Sequence, residues 1–157
     1  MCGIAGFYNF DKSNPDLLLL RKMGDIIAHR GPDHDGYYTN IEGVGFCHRR
    51  LSIIDLSEKG NQPMPSIDKT IWLIFNGEIY NYKELREQLI LKGYKFKTKT
   101  DTEIIINAYL EYGEDCVKKF NGMFAFALWD EKNKKFFAAR DRIGIKPLYY
   151  GKQKNIF

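Results

Sequence analysis

A chain of 157 residues has the length of a single domain. Its 44% hydrophobic and 15% aromatic residues supply enough apolar surface for a core, which excludes a disordered segment. The formal net charge of +4 is scattered, and the basic knot from Lys132 to Lys135 reads as a solvated turn rather than a nucleic-acid surface. Cys2, Cys47 and Cys116 are odd in number and widely spaced, there is no C-x-x-C pair, and histidines number only three. A disulfide framework and a structural zinc site are thereby excluded, and a reducing cytoplasm is expected. No apolar run approaches the ~18 residues of a membrane span, and the N-terminus lacks the basic start and apolar stretch of a signal peptide.

Residues 2–9 predict a short buried strand. Asn14-Pro15 predicts a helix start, with Asn14 as N-cap and Pro15 at the first helical position. Leu17, Leu20, Met23, Ile26 and Ile27 would form its apolar face, and it would end before His29-Arg30-Gly31-Pro32. Two strands follow around residues 37–39 and 44–48, joined through Glu42-Gly43. Residues 57–70 read as a polar loop containing Pro63 and Pro65. Residues 71–75, IWLIF, predict a buried strand that runs into Asn76-Gly77, itself the strongest short hairpin-turn signal. Asn81 with Glu84, and Thr100 with Glu103, resemble capping boxes for two helices stopped by Gly93 and Gly113. The last third predicts strands at 123–129, 136–140 and 147–150. Runs of strands with grouped helices imply an α+β fold with antiparallel sheets. The ending Asn155-Ile156-Phe157 reads as the middle of a further strand, so residues 1–157 are expected to be an excised domain.

Cys2 carries the chemistry. Removal of Met1 leaves a thiol and a free α-amine on one residue. An α-amine of pKa about 7.7–8.0 is partly neutral at physiological pH and can take a proton from the thiol, which alone is only a few per cent thiolate. One residue then supplies nucleophile and general base. The plain alternative is a small apolar residue opening a strand, and with Met1 retained the Cys2 nitrogen is an amide that cannot act as base.

Met1-Cys2-Gly3-Ile4-Ala5-Gly6 followed by His29-Arg30-Gly31-Pro32-Asp33 resembles the class II glutamine amidotransferases, which are N-terminal-nucleophile hydrolases. Four further segments are similar to glutamine-hydrolysing asparagine synthetases: residues 49–55 (RRLSIID), 75–81 (FNGEIYN), 100–103 (TDTE) and 139–150 (ARDRIGIKPLYY). The resemblance implies a four-layer αββα sandwich, two antiparallel sheets face to face with helices on each outer side.

Glutamine hydrolysis requires neutral donors for a tetrahedral oxyanion, and Asn76 with Gly77 match the family's oxyanion pair. The substrate carboxylate requires a guanidinium, matched by Arg50; its neighbour Arg49 would point to the other face of an extended strand. The substrate ammonium requires a carboxylate, matched by Asp101 and Glu78. Without the resemblance, Asp101 is an acid favouring a helix N-terminus and Glu78 and Arg50 are surface charges. Ile53 is carried over with its motif as a glutamine-binding residue, and Arg30 as a residue beside the nucleophile. His29, His34 and His48 read as structural or surface residues, Cys47 and Cys116 as inert thiols, and residues 140–150 as framework. No phosphate-binding loop occurs, so no cofactor is expected in this chain; ATP and magnesium are expected in a synthetase domain beyond it, with aspartate as the ammonia acceptor. A sugar or another carboxylate remains an alternative acceptor. A non-catalytic regulatory module is the alternative if Met1 stays, and homodimerisation is left open.

Overall fold

The computed structural model describes residues 1–52 and 57–157. Strand β1 (Gly3–Tyr8) leads to helix α1 (Leu17–Ile26), then to β2 (His34–Thr39) and β3 (Val44–Arg50). The short β4 (Met64–Pro65) precedes β5 (Ile71–Ile79), helices α2 (Tyr82–Leu91) and α3 (Thr102–Tyr112), and finally β6 (Gly122–Asp130) and β7 (Lys135–Arg140). All pairing among these strands is antiparallel, in one sheet of order β1-β3-β2 and a second of order β4-β5-β6-β7.

Side chains alternate across a strand, and this period of two sorts the apolar residues into three layers of contact. Val44 and Phe46 of β3 and Ile4 and Tyr8 of β1 face Ile74, Ala127 and Trp129 of the other sheet, forming the core between sheets. Tyr38 stacks on Trp72 with ring centroids 4.1 Å apart, and Tyr8 lies 5.5 Å from Trp129, so aromatic rings knit the two sheets. The opposite face of the first sheet, through Phe7 and Cys47, receives Leu20 of α1. The outer face of the second sheet, through Leu73, Phe75, Phe124, Phe126 and Leu128, receives Leu85 and Leu89 of α2 and Ile104, Ile105 and Ala108 of α3. The order helix, sheet, sheet, helices is the four-layer αββα sandwich that the resemblance implies.

Several local expectations need correction. The cap of α1 is Asp16, not Asn14: one carboxylate oxygen accepts the N–H groups of Leu18 and Leu19 at 2.8 and 3.1 Å. The turn before α1 thus runs two residues further. Its buried face is narrower than predicted, with Leu20 and Gly24 buried but Leu17 exposed and Ile26 75% exposed. Both later helices start and stop near the expected residues, yet neither uses a side-chain cap. Asn81 spends its amide on Asn121 N–H and Lys119 C=O, and Glu103 accepts the N–H groups of Lys97 and Thr98. Asn76-Gly77 is no turn: β5 runs through it, with Asn76 opposite Ala125 and Gly77 opposite Phe124. Residues 147–150 form no strand, and Tyr149 is 92% exposed. The last residues do pair, Tyr8 and Phe157 exchanging two backbone hydrogen bonds at 2.8 and 2.9 Å beside β1.

Replacing Phe46 by Ala in the layer between the sheets is expected to cost about 3–5 kcal/mol of stability, and Asp16→Ala at an exposed cap about 1 kcal/mol. Urea denaturation of the two variants measures both.

Candidate active site

The inner rows of four strands all end at one cleft. Along β3 the inward series is Val44, Phe46, His48, Arg50; along β5 it is Trp72, Ile74, Asn76, Glu78; along β6 it is Trp129, Ala127, Ala125, Met123. The same alternation on β1 runs from Tyr8 through Ile4 to Cys2, one residue ahead of the strand. The rows of β1, β3 and β5 run from apolar residues to Cys2, Arg50 and Glu78, while the row of β6 stays apolar to its end at Met123. There a cavity of about 130 Å³ opens, lined by Cys2, Arg50, Asn76, Gly77, Glu78 and Asp101. Met1, Leu51, Gly60, Gln62, Phe75, Thr100, Thr102, Met123 and Lys146 complete its wall.

Cys2 is half-buried, and its Sγ lies 3.4 Å from the Leu51 N–H and 3.6 Å from the Leu51 carbonyl. Arg30 donates from Nε to the Cys2 carbonyl at 3.1 Å. The 3-10 turn Ala28–Arg30 reaches that position because Gly31 lies flat on β3: a methyl group there would stand 2.3 Å from the Arg49 carbonyl. Arg30 therefore holds the backbone of Cys2. Arg49 points the other way, to Asp25 and the Gly24 carbonyl of α1, while Arg50 turns into the cleft. One Arg50 nitrogen donates to the Ser57 carbonyl and to Asn61 Oδ1, each at 2.7 Å, which holds the guanidinium against the wall.

The edge of β5 next to the cleft carries the most informative hydrogen bonds. In an antiparallel pair, alternate residues turn both backbone polar groups to the same side. Asn76 and Glu78 turn theirs to β6, so Phe75, Gly77 and Ile79 turn theirs to the side that β4 covers only as far as Leu73. Side chains complete that open edge. Gln62 Oε1 accepts the Phe75 N–H at 2.6 Å, His48 Nε2 donates to the Phe75 carbonyl at 3.2 Å, and Asp101 Oδ2 accepts the Ile79 N–H at 2.9 Å. Between them the Gly77 N–H faces the cleft without a protein partner among the described residues. Glycine is required here because a Cβ would sit 2.2 Å from the Met123 carbonyl across the strand pair. The Asn76 amide likewise has no hydrogen-bond partner among the described residues. A fixed backbone N–H and a neighbouring amide thus open into the cavity that holds the cysteine sulfur.

His48 is fully buried, which holds its imidazole pKa down near 3, and the neutral ring donates to Phe75 while Nδ1 has no partner among the described residues. It is a brace, in keeping with a structural histidine. Burial does the opposite to Asp101, lifting its carboxyl to about 6, with the charge of Glu78 adding to the rise and the Ile79 N–H opposing it. Burial also raises the thiols of Cys47 and Cys116, to about 11 and about 12, which suits inert residues. Ile53 lies outside the described residues. Among the described residues no group of three metal-ligating side chains occurs, and no helix is long and apolar enough to cross a membrane.

The profile of the glutamine amidotransferase domain family matches residues 1–157, and the chain belongs to that family. It is 50% identical over 153 residues to asparagine synthetase [glutamine-hydrolyzing] 1 of Bacillus subtilis, covering 96% of this chain and 24% of that protein. Asparagine synthetase [glutamine-hydrolyzing] 3 of the same organism is 43% identical over 160 residues, covering 100% of this chain and 26% of that one. The chain thus spans about a quarter of the length of these curated relatives. Among solved structures, the glutamine phosphoribosylpyrophosphate amidotransferase of B. subtilis superposes with a TM-score of 0.76 at 18% identity, over 99% of this chain and 40% of that one. At that identity the likeness is one of fold, two antiparallel sheets packed between helical layers.

Of the residues named from the sequence, Cys2, Arg50, Asn76, Gly77, Glu78 and Asp101 line one cleft, and Arg30 binds the Cys2 carbonyl. Sequence reasoning missed Gln62 and Lys146. Gln62 sits in the stretch read only as polar loop, and Lys146 in the motif read as framework. Gln62→Met, which keeps the volume but removes the acceptor for a buried N–H, is expected to cost about 1–3 kcal/mol; chemical denaturation beside Gln62→Glu, which keeps an acceptor, measures it.

Proposed function

We propose that this chain, with Met1 removed, hydrolyses the side-chain amide of glutamine to glutamate and ammonia. The observation that carries the reading is convergence. The Cys2 sulfur, from one sheet, shares a cavity with the unpartnered donors of Asn76 and Gly77, from the other, flanked by Arg50 and by the Asp101–Glu78 pair.

Glutamine docks with its carboxylate on Arg50 and its ammonium toward Asp101 and Glu78. The Cys2 α-amine takes the thiol proton, and sulfur attacks the side-chain amide carbon. Asn76 Nδ2–H and Gly77 N–H receive the oxyanion, a role in which losing one donor costs ~10²–10³ in rate. The proton returns to the departing nitrogen, the C–N bond breaks, and ammonia leaves a glutamyl thioester. Water, giving its proton to the same amine, hydrolyses the thioester to glutamate and restores the thiol. Arg30, bound to the Cys2 carbonyl, keeps the short N-terminal segment from swinging away during both halves.

The chain serves as the glutaminase domain ahead of an ATP-dependent synthetase domain that uses magnesium. Aspartate is the acceptor and asparagine the product; the similarity to two glutamine-hydrolysing asparagine synthetases supports this. A cytoplasmic location agrees with such a role.

One observation favours a second reading for unprocessed chains. Met1 itself lines the cleft, its Sδ 2.9 Å from Lys146 Nζ. A chain that keeps Met1 has no free Cys2 amine and a partly filled site, and would be a silent module. Mass spectrometry separates the two forms.

Cys2→Ala is expected to abolish glutaminase activity while urea denaturation stays within about 1 kcal/mol of the parent protein; substantial remaining turnover would overturn the assignment. The pH dependence follows from Asp101. Its folded pKa of about 6 lies above the ordinary 3.8, so the fold favours the protonated acid. Stability from this group therefore falls as pH rises from about 4 to about 6, whereas affinity for an ammonium rises through the same window. The kcat/KM for glutamine is expected to decline below about pH 6. In Asp101→Asn, which loses a charge-assisted contact of about 1.5–3 kcal/mol, KM rises roughly 10–100-fold, and the decline near pH 6 is lost.

A further inference from the structure

Lys146 has no part in the reaction as described. It is buried, at 4% exposure, and its amine points to the edge of the cleft, where the Met1 thioether is its hydrogen-bond partner. It has no other side-chain partner among the described residues. A thioether is a weak acceptor, and a buried ammonium usually finds a carboxylate. The carboxylate nearest in the chain is already committed: Asp141 accepts the backbone N–H groups of Phe124, Ile145 and Lys146 at 3.2, 2.8 and 2.9 Å. Those bonds also pin residues 141–146 to β6, so the lysine cannot withdraw from the cleft by moving its backbone.

Five bonds separate the Met1 sulfur from the Cys2 nitrogen, so Lys146 Nζ lies within roughly 9 Å of that nitrogen. The other charges around Cys2 are Arg30 from the 3-10 turn and Arg50 from β3, both positive, and Glu78 from β5 and Asp101 at the start of α3, both negative. His48, behind Phe75, stays neutral. The carboxylates are the groups that the substrate ammonium would occupy. The two arginines are bound to the Cys2 carbonyl and to the 57–61 loop, which leaves the lysine amine as the charge aimed at the chain terminus.

Resting on the reading of Cys2 as an N-terminal nucleophile, we propose that Lys146 is a positioning charge for glutamine hydrolysis. Once Met1 is gone, its ammonium holds the Cys2 α-amine in the uncharged, proton-accepting form. A nearby like charge disfavours protonation of an amine, and an unassisted α-amine, of pKa about 7.7–8.0, is mostly protonated at neutral pH.

The test compares purified wild-type protein with Lys146→Met, Lys146→Gln and Lys146→Arg, each checked for Met1 removal by mass spectrometry. For each, kcat and KM for glutamine are measured from about pH 5 to about pH 10. In the two neutral variants KM is expected to stay within about twofold. Their rise of kcat with pH should move upward by about one unit, a roughly tenfold loss near neutral pH recovered in alkaline solution. Lys146→Arg should follow the wild type. Profiles of the neutral variants that superimpose on the wild type overturn the proposal, as does an equal loss of kcat at every pH, which marks a structural role. Wild-type protein that has lost Met1 and yet does not hydrolyse glutamine overturns the reading of the site, and this inference with it.

Discussion

The structure depends on the burial of two sheet faces against each other. Apolar side chains on the inner faces of β1, β3, β5 and β6 exclude water from the middle of the sandwich. Because side chains alternate along a strand, that burial also fixes the orientation of every residue further along the same face. Phe46 facing Phe136 means that Arg50 faces the cleft; Ile74 in the core means that Asn76 does too. The core and the site share one set of rows, which on β3 and β5 pass from hydrocarbon at one end to polar groups at the other. Arg50, Asn76, Gly77 and Glu78 are aimed by the strands that carry them, whereas Arg30, Gln62, Asp101 and Lys146 come from the connecting segments.

This arrangement explains the uneven electrostatics of the cleft. Of the positive groups, Arg30 and Arg50 lie with Cys2 and the first sheet, and Lys146 is carried by the segment clamped to β6. The negative groups are Glu78, on β5 itself, and Asp101, whose carboxylate accepts the Ile79 N–H at the end of that strand. In the proposed binding mode the substrate's carboxylate and ammonium, both carried on its α-carbon, meet Arg50 and the two acids, and the side-chain amide extends away from that carbon toward Asn76 and Gly77. The raised pKa of Asp101 is the cost of burying a carboxylate without a cation beside it among the described residues.

Much of this was readable in the residues, because periodicity and composition report local geometry well. The strands at 2–9, 44–48, 71–75, 123–129 and 136–140, the two later helices and their stops at Gly93 and Gly113 follow from alternation and from glycine's tolerance of positive φ, whereas the strand expected at 147–150 is absent and β4 falls in the stretch read as a polar loop. The site residues were readable only through a resemblance; by themselves Arg50, Glu78 and Asp101 look like ordinary charges. The clearest misreading was Asn76-Gly77. An Asn-Gly pair usually turns a hairpin, but β6 continues to pair through Gly122 opposite Ile79 and keeps the chain extended. The glycine serves close approach to Met123, not a turn. Gln62 and Lys146 were beyond reach for another reason: each acts on a residue far away in sequence, Phe75 and Met1, and nothing in the local pattern reports such a pairing. The Asp16 cap shows the smaller kind of error, since three consecutive residues from Asn14 to Asp16 each satisfy part of the rule for a helix start.

The alternation that aims Asn76 has a corollary for how this sequence can vary in length. Inserting or deleting one residue in β5 ahead of Asn76 would exchange its two faces from that point on, sending the amide beneath α2 and α3 and presenting a phenylalanine ring to the cleft. The turn at residues 131–134, beyond the paired strands, carries no such restriction. Among chains that share this architecture, gaps should therefore accumulate in the connections and spare the stretch from Ile71 to Ile79, even where the individual amino acids along it have changed.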